Sequence, residues 1–446
     1  MRKTVPAVLI WALCFILPAV AASPVVAAAA GTGLPTWAAH LTLSTSATAD
    51  PGSRPLTSNR SDLKLWFEYE SAWQLSRALV PVGVRLAVGR GAPALSLGDP
   101  AGNLFLTSSA PPYPFAYYRL TMPLSLARTA AGSSLTPTAT YTRLWGDLTQ
   151  APDERRWLGV HYLQVRLLPH LTLGAGEAVL FDTRFTGDIA YTVVPLLPYY
   201  LAKKIPGLPS NHDNSLFFLD ASGRFTGSNT TFYASFLVNE FPMHPGAGNP
   251  ALYAWQAKLQ QQLSSGVGRP DREEAGRLFT AEYTQVRHLA YSNGNRALVY
   301  GYQGLPLGYP RGSDLDRFEL GLTLDEGFLG DTIRIEQLQL FVQRQGEGKL
   351  DDWPQNWDEW RQRPFLTGTV ETWAGTGLRL GGELTSRRQP ASEDRWPQVS
   401  PGNGPARMVS SEWHMTVSAG PAWNLEHRQG EQGFRIEATV SWSWSL

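Results

Sequence analysis

The residues best suited to chemistry here are aromatic. Trp353, Trp357 and Trp360 stand at i, i+4 and i+7 within the segment Leu350–Arg361. That spacing predicts a short helix starting at Asp352, with Pro354 accommodated in its first turn. On one helix face the indoles would form a platform for the C–H faces of sugar rings, with Asp351, Asn356 and Asp358 beside it to bind hydroxyls. The competing reading is an interfacial helix that places its indoles at the level of lipid headgroups. Tyr291, Tyr300 and Tyr302, close to a Gly-Leu-Pro-Leu-Gly phrase at 304–308, are secondary candidates for polysaccharide contact.

Titratable groups offer less. Glu177, Asp220, Glu240 and Glu282 fall in or at the ends of strand-like segments and could accept hydrogen bonds from sugar hydroxyls. The alternative is that they pair with arginines such as Arg166, Arg184 or Arg317, because buried charges are rare unless paired. The eight histidines show no paired spacing, and His212 lies beside Asp213. No metal site and no cofactor is expected.

The elements that must position these groups are strands. From Phe434 to Leu446 every second residue is apolar, with Arg435, Glu437, Thr439, Ser441, Ser443 and Ser445 between. In a strand this gives one apolar and one polar face, and the run exceeds the roughly 9 to 11 residues that cross a bilayer at a tilt. Strands of soluble sandwiches average only about 5 to 6 residues. Similar stripes start at Leu63, Val82, Tyr118, Phe232, Phe318 and Trp413, and turn-rich breaks include Pro169-His170, Gly375-Thr376-Gly377 and Gly430-Glu431-Gln432-Gly433. An open edge in lipid would leave backbone groups unpaired, so the sheet must close. The fold expected is all-β: a transmembrane antiparallel β-barrel of about 16 to 18 strands, single-chain barrels favouring even counts. Counting crossings back from a periplasmic C-terminus puts the long stretch 387–410 on the periplasmic side, against the habit that long connections are extracellular.

Composition agrees. The chain has 16 Trp, 16 Tyr and 42 Gly yet is only 17% charged, with slightly negative mean hydropathy. That combination suits a barrel whose lipid-facing and lumen-facing residues average out. Lys plus Arg equals Asp plus Glu at 38 each, so no field favours nucleic acid. Arg2 and Lys3 precede an apolar run from Val5 to Val20, which reads as a signal peptide over 1–22, with cleavage there or as late as residue 30. The single Cys14 lies inside it, so the mature chain should carry no thiol. Residues 31–62 are rich in Thr, Ser and Pro without a clear pattern, and the barrel is expected over 63–446, in the outer membrane, in contact with its lipid, as a monomer.

Several phrases occur in order between about residues 155 and 325: His161-Tyr162-Leu163 through Leu167-Leu168-Pro169-His170-Leu171-Thr172-Leu173-Gly174 to Glu177-Ala178-Val179; Pro198-Tyr199-Tyr200; Asp213-Asn214 and Leu219-Asp220-Ala221-Ser222. Asn239-Glu240-Phe241, Ala281-Glu282-Tyr283-Thr284-Gln285-Val286, and Tyr302-Gln303-Gly304-Leu305-Pro306-Leu307-Gly308-Tyr309-Pro310 leading to Asp314-Leu315-Asp316 complete the set. Together they resemble the Wzi-type capsule-assembly family of outer-membrane proteins. The resemblance implies a large barrel that binds or organises capsular or other surface polysaccharide, acting as a lectin without catalysis. A porin or saccharide channel is the alternative, and an outer-membrane hydrolase the third reading.

The hydrolase reading rests on His288-Leu289-Ala290-Tyr291-Ser292-Asn293-Gly294, which resembles the His and Ser-Asn-Gly strand signature of outer-membrane phospholipase. There the His precedes the Ser by two residues, and here by four. In a regular strand the two side chains would stand about 13 Å apart, beyond a hydrogen bond. No catalytic residue is therefore assigned, and Ser292-Asn293-Gly294-Asn295 reads as a hairpin turn.

Overall fold

The computed structural model describes residues 36–49, 60–73, 82–91, 104–106, 115–125, 138–149, 155–182, 213–225, 227–239, 252–263, 277–302, 305–324, 333–353, 365–387 and 408–445. The expected signal peptide, Trp357, Trp360, Glu240 and Arg184 lie outside these residues, as does most of the helix expected from Asp352.

Strands run over Thr36–Ala49 (β1), Arg60–Trp73 (β2), Val82–Gly91 (β3), Phe115–Ser125 (β4), Thr138–Asp147 (β5) and Arg156–Leu168 (β6). They continue through Leu171–Asp182 (β7), Asp213–Phe225 (β8), Thr230–Asn239 (β9), Tyr253–Leu263 (β10), Arg277–Val286 (β11), Gly301–Tyr302 (β12) and Leu305–Pro306 (β13). Leu315–Thr323 (β14), Arg334–Gln345 (β15), Glu371–Arg387 (β16), Met408–Trp423 (β17) and Gln432–Ser445 (β18) complete the set. All but β12 and β13 form one closed barrel of sixteen strands in sequence order. Neighbours are antiparallel throughout, and β1 pairs with both β2 and β18 to close it. β12 and β13 make a separate two-stranded hairpin.

The barrel begins earlier than residue 63, correcting the boundary read from the sequence. β1 lies wholly within the stretch taken as patternless, and β2 starts at Arg60. Its small residues hide an alternation: Trp37, Ala39, Leu41 and Leu43 share one parity, and Thr, Ser and His occupy most of the other.

Over much of the described wall the two faces separate, although on β5 to β7 the outer parity carries the buried Arg143, His161 and Glu177. Leu219, Leu340, Phe318, Leu259 and Phe434 lie 58%, 57%, 45%, 52% and 66% exposed on the outer face. A leucine left in water forgoes roughly 1.5–3 kcal/mol relative to a buried one, so this band is a lipid-facing surface. The opposite parity is polar or packed: Arg317 and Glu319 flank Phe318, and Arg435 and Glu437 flank Ile436. The protein is an outer-membrane β-barrel by this test.

Both barrel termini, the start of β1 and the end of β18, sit at one end, together with the turn at Pro169-His170 and the connection 388–407. The long connections 183–212, 287–314 and 346–370 sit at the other, the loop end. Long loops mark the extracellular side; 388–407 is the exception anticipated from the sequence. Gly375-Thr376-Gly377 is no break but the interior of β16. A side chain at Gly375 would meet the Phe341 ring at 2.9 Å and the Ala419 carbonyl oxygen at 2.5 Å, so the glycines serve close packing in the wall.

Candidate functional site

The connection between β11 and β14 turns inward and fills the lumen at the loop end. Leu289, Ala290, Tyr291, Leu298, Tyr300, Tyr302, Leu307 and Tyr309 are buried, packed with Leu104–Leu106 from the β3–β4 connection. The wall residues they meet, including Leu158, Val160, Tyr162, Leu216 and Phe218, are the lumen-facing parity of β5 to β11 and β14. Phe105 stacks on Phe218 at 3.5 Å between centroids, and Tyr291 on Tyr300 at 5.9 Å.

Irregular backbone inside a barrel needs hydrogen-bond partners, and lumen-facing polar residues supply them. Arg156 donates to the Val299 and Gly301 carbonyls at 2.7 and 3.1 Å, Asn214 to Leu298 at 2.9 Å, and Asn239 to Leu289 and Ser292 at 3.2 and 2.7 Å. From within the insert, Tyr291 and Tyr300 donate to the Leu104 and Phe105 carbonyls at 2.6 and 2.9 Å. Burial raises both phenols above their ordinary range, and that of Tyr309 up to about 12, so all three hydroxyls stay protonated at neutral pH. At Gly308 a Cβ would stand 2.2 Å from the Leu104 carbonyl and 2.5 Å from the Tyr291 hydroxyl, which only glycine permits.

A clasp joins the insert to the next loop. Asp314, fully buried and in the left-handed region at φ 60°, accepts from Gly348 N at 2.7 Å and from the amide and hydroxyl of Thr367. Gly346 N donates to its carbonyl at 2.8 Å. Burial raises the Asp314 carboxyl, while these donors pull it back down. Positive φ costs a non-glycine residue roughly 1–3 kcal/mol, offset here by that set of bonds.

The sequence-derived candidates distribute unevenly. Tyr291, Tyr300 and Tyr302 come together, but as the buried framework of the insert, with no ring face open. Trp353 lies against the Asn293-Gly294 turn, its Nε1 2.8 Å from where a Gly294 Cβ would stand, so the structure joins the Trp353 segment to the insert. The expected hairpin at Ser292–Asn295 is instead a turn leading into a 3-10 helix at Arg296–Leu298, which Asn295 caps. The strand geometry assumed for His288 and Ser292 does not hold either, because residues 287–292 form tight turns with Ala290 N bonded to the Arg287 carbonyl. Ser292 Oγ donates to the His288 carbonyl at 3.3 Å.

The carboxylates also divide. Asp220 accepts from Tyr162 at 2.9 Å and Ser235 at 2.5 Å, and Glu282 from Gln256 at 2.8 Å with Lys258 at 3.5 Å. Arg317 pairs with Glu319 at 2.8 Å. Glu177 is on the outer parity of β7, in register with His161 on β6, and so is not a lumen group. A charged and aromatic cluster was missed altogether. Trp373 on β16 lies under Arg435 at 5.0 Å and Arg311 at 5.9 Å, and Arg435 reaches Glu371 and Glu437 at 2.7 and 2.8 Å. Its signal was available: Trp373 stands on the opposite parity to Leu378 and Leu380 in the same strand.

Fold and lumen together define an outer-membrane barrel with an insert packed into its loop end. No protein-family model matches the chain, and none of the curated proteins does. Among solved structures it is similar to Wzi of Escherichia coli, an outer-membrane protein involved in group 1 capsule assembly and a carbohydrate-binding β-barrel. The TM-score is 0.51 at 13% identity, over 92% of this chain and 85% of that one. Pseudomonas aeruginosa OccK10 aligns at a TM-score of 0.39 and 12% identity, over 92% of this chain and 99% of that one. The outer-membrane protein OprD from the same organism aligns at 0.36 and 12%, over 92% and 93%. The barrel fold expected from the ordered phrases is thus the fold found.

Proposed function

We propose that this barrel binds surface polysaccharide and organises it at the cell exterior, without catalysing a reaction on it. The observation that carries the reading is the insert: a lumen whose loop end is occupied by a packed, hydrogen-bonded aromatic layer suits holding a chain better than passing solutes. The similarity in fold to a carbohydrate-binding barrel of capsule assembly supports it. Trp353, Trp357 and Trp360 are the proposed contacts, with Trp353 seated on the insert that Tyr291, Tyr300 and Tyr302 help to build.

Stacked aromatic platforms contribute a few kcal/mol together. Cells carrying the triple Trp353→Ala, Trp357→Ala, Trp360→Ala variant should therefore lose most retained surface glycan at unchanged barrel abundance in the outer membrane. Retention equal to wild type would return these indoles to an interfacial role.

The non-enzymatic reading has its own check. Ser292 is completely buried and its hydroxyl is engaged with a backbone carbonyl, so Ser292→Ala should leave lipase and esterase turnover by the purified barrel at the wild-type level. A turnover that vanishes with this hydroxyl would make Ser292 a nucleophile.

A further inference from the structure

Near the terminus end of the lumen, away from the insert, the wall opens into a pocket of about 360 Å³ lined by Thr323, Arg334, Glu336, Gln337, Arg379 and His414. Its shape follows from two local features. The apolar residues of β15 at Ile335, Leu338 and Leu340 are spaced three and then two apart, which plain alternation forbids. The strand absorbs the extra residue as a bulge at Glu336, where the register against β16 shifts between Ile335 and Gln337. Arg334 and Gln337 consequently both face the lumen, and Glu336 is aimed inward between them.

The second feature is Gly381. It lies in register between Arg334 on β15 and His414 on β17, so a row of inward positions reads cation, no side chain, imidazole. A Cβ at Gly381 would stand 1.9 Å from Glu336 Oε1, so the bulged carboxylate occupies the edge of this notch. Glu336 is bonded to Arg379 at 2.9 Å and to His414 Nδ1 at 2.9 Å. Arg334 is exposed and makes no ion pair among the described residues. Among the described side chains the pocket thus holds two guanidiniums and an imidazole against one carboxylate, with the amide of Gln337 and the hydroxyl of Thr323 beside them.

We propose that this notch binds a carboxylate-bearing sugar unit, with Arg334 receiving the carboxylate, Gln337 and Thr323 taking neighbouring hydroxyls, and Glu336 fixing Arg379 and His414 in place. A guanidinium matches a carboxylate with paired N–H donors, and the bonded Glu336 leaves one cation over. This deepens the polysaccharide reading and rests on it, adding an acidic-sugar subsite near the end of the barrel opposite Trp353.

The test uses the full barrel purified in detergent, with both ends accessible, and two probes: a glucuronic-acid-containing oligosaccharide and the same oligosaccharide with its carboxyl groups reduced to alcohols. Wild type should bind the acidic form more tightly. Arg334→Gln should weaken the acidic form about tenfold, the scale of one charge-assisted hydrogen bond, and leave the neutral form and the heat-modifiable mobility unchanged. Gly381→Val, which fills the notch and pushes on Glu336, should weaken the acidic form as well. Equal wild-type binding of both forms, or no change on Arg334→Gln, would overturn the acidic subsite while leaving glycan binding intact. Binding of neither probe by wild type would overturn both.

Discussion

Removing the wall anchors of the insert should open the barrel. In the triple variant Arg156→Ala, Asn214→Ala, Asn239→Ala, carbonyls of Val299, Gly301, Leu298, Leu289 and Ser292 lose their lumen-wall donors. Each buried group left unpaired costs roughly 1–3 kcal/mol, so the insert loses a large part of what holds it to the strands. The strand pairings of the barrel are untouched by these substitutions. Planar-bilayer recordings should therefore show a step from little or no conductance in wild type to stable open channels in the variant, with normal heat-modifiable mobility in both. A wild type that already conducts as a wide pore would favour the channel reading instead.

The second large effect concerns membrane assembly. Leu219 on β8 and Leu340 on β15 sit on the outer face far apart in the barrel order, so their costs should add. An arginine at the bilayer midplane costs ~2–4 kcal/mol per site. The double variant Leu219→Arg, Leu340→Arg should fail to accumulate as folded barrel in the outer-membrane fraction. Gln339→Arg, one residue from Leu340 but facing the lumen, should accumulate normally. If both accumulate alike, the assignment of faces is wrong.

The difference between Leu340 and Gln339 shows what was legible in the sequence. A strand in a barrel has one solvent of lipid and one of water or lumen polar groups, so period-two alternation reports both its existence and its orientation. That made β9, β14, β17 and β18 plain. β1 escaped because Ala, Ser and Thr carry little hydropathy contrast, and the 375–377 glycines passed for a turn because the need to admit the Phe341 ring and the Ala419 backbone is tertiary.

The insert was less readable for a different reason. Its residues satisfy their backbone through Arg156, Asn214 and Asn239, more than 80 positions away for two of them and 50 for the third, and no local period encodes that. Tyr291, Tyr300 and Tyr302 were recognised as belonging together near the Gly-Leu-Pro-Leu-Gly phrase, but aromatic clustering does not distinguish a binding face from a core. The Trp373 cluster and the Glu336 bulge were each written in broken parity, a tryptophan on a polar face and a spacing of three in a strand. Such interruptions are where a barrel departs from being only a wall.

One binding isotherm tests whether this barrel holds polysaccharide directly. Surface polysaccharide recovered from the producing cells should bind the purified, lipid-reconstituted barrel saturably, and the triple Ala variant at Trp353, Trp357 and Trp360 should bind it at least tenfold more weakly while keeping its fold. No binding by wild type, in a barrel shown to be folded, would contradict it.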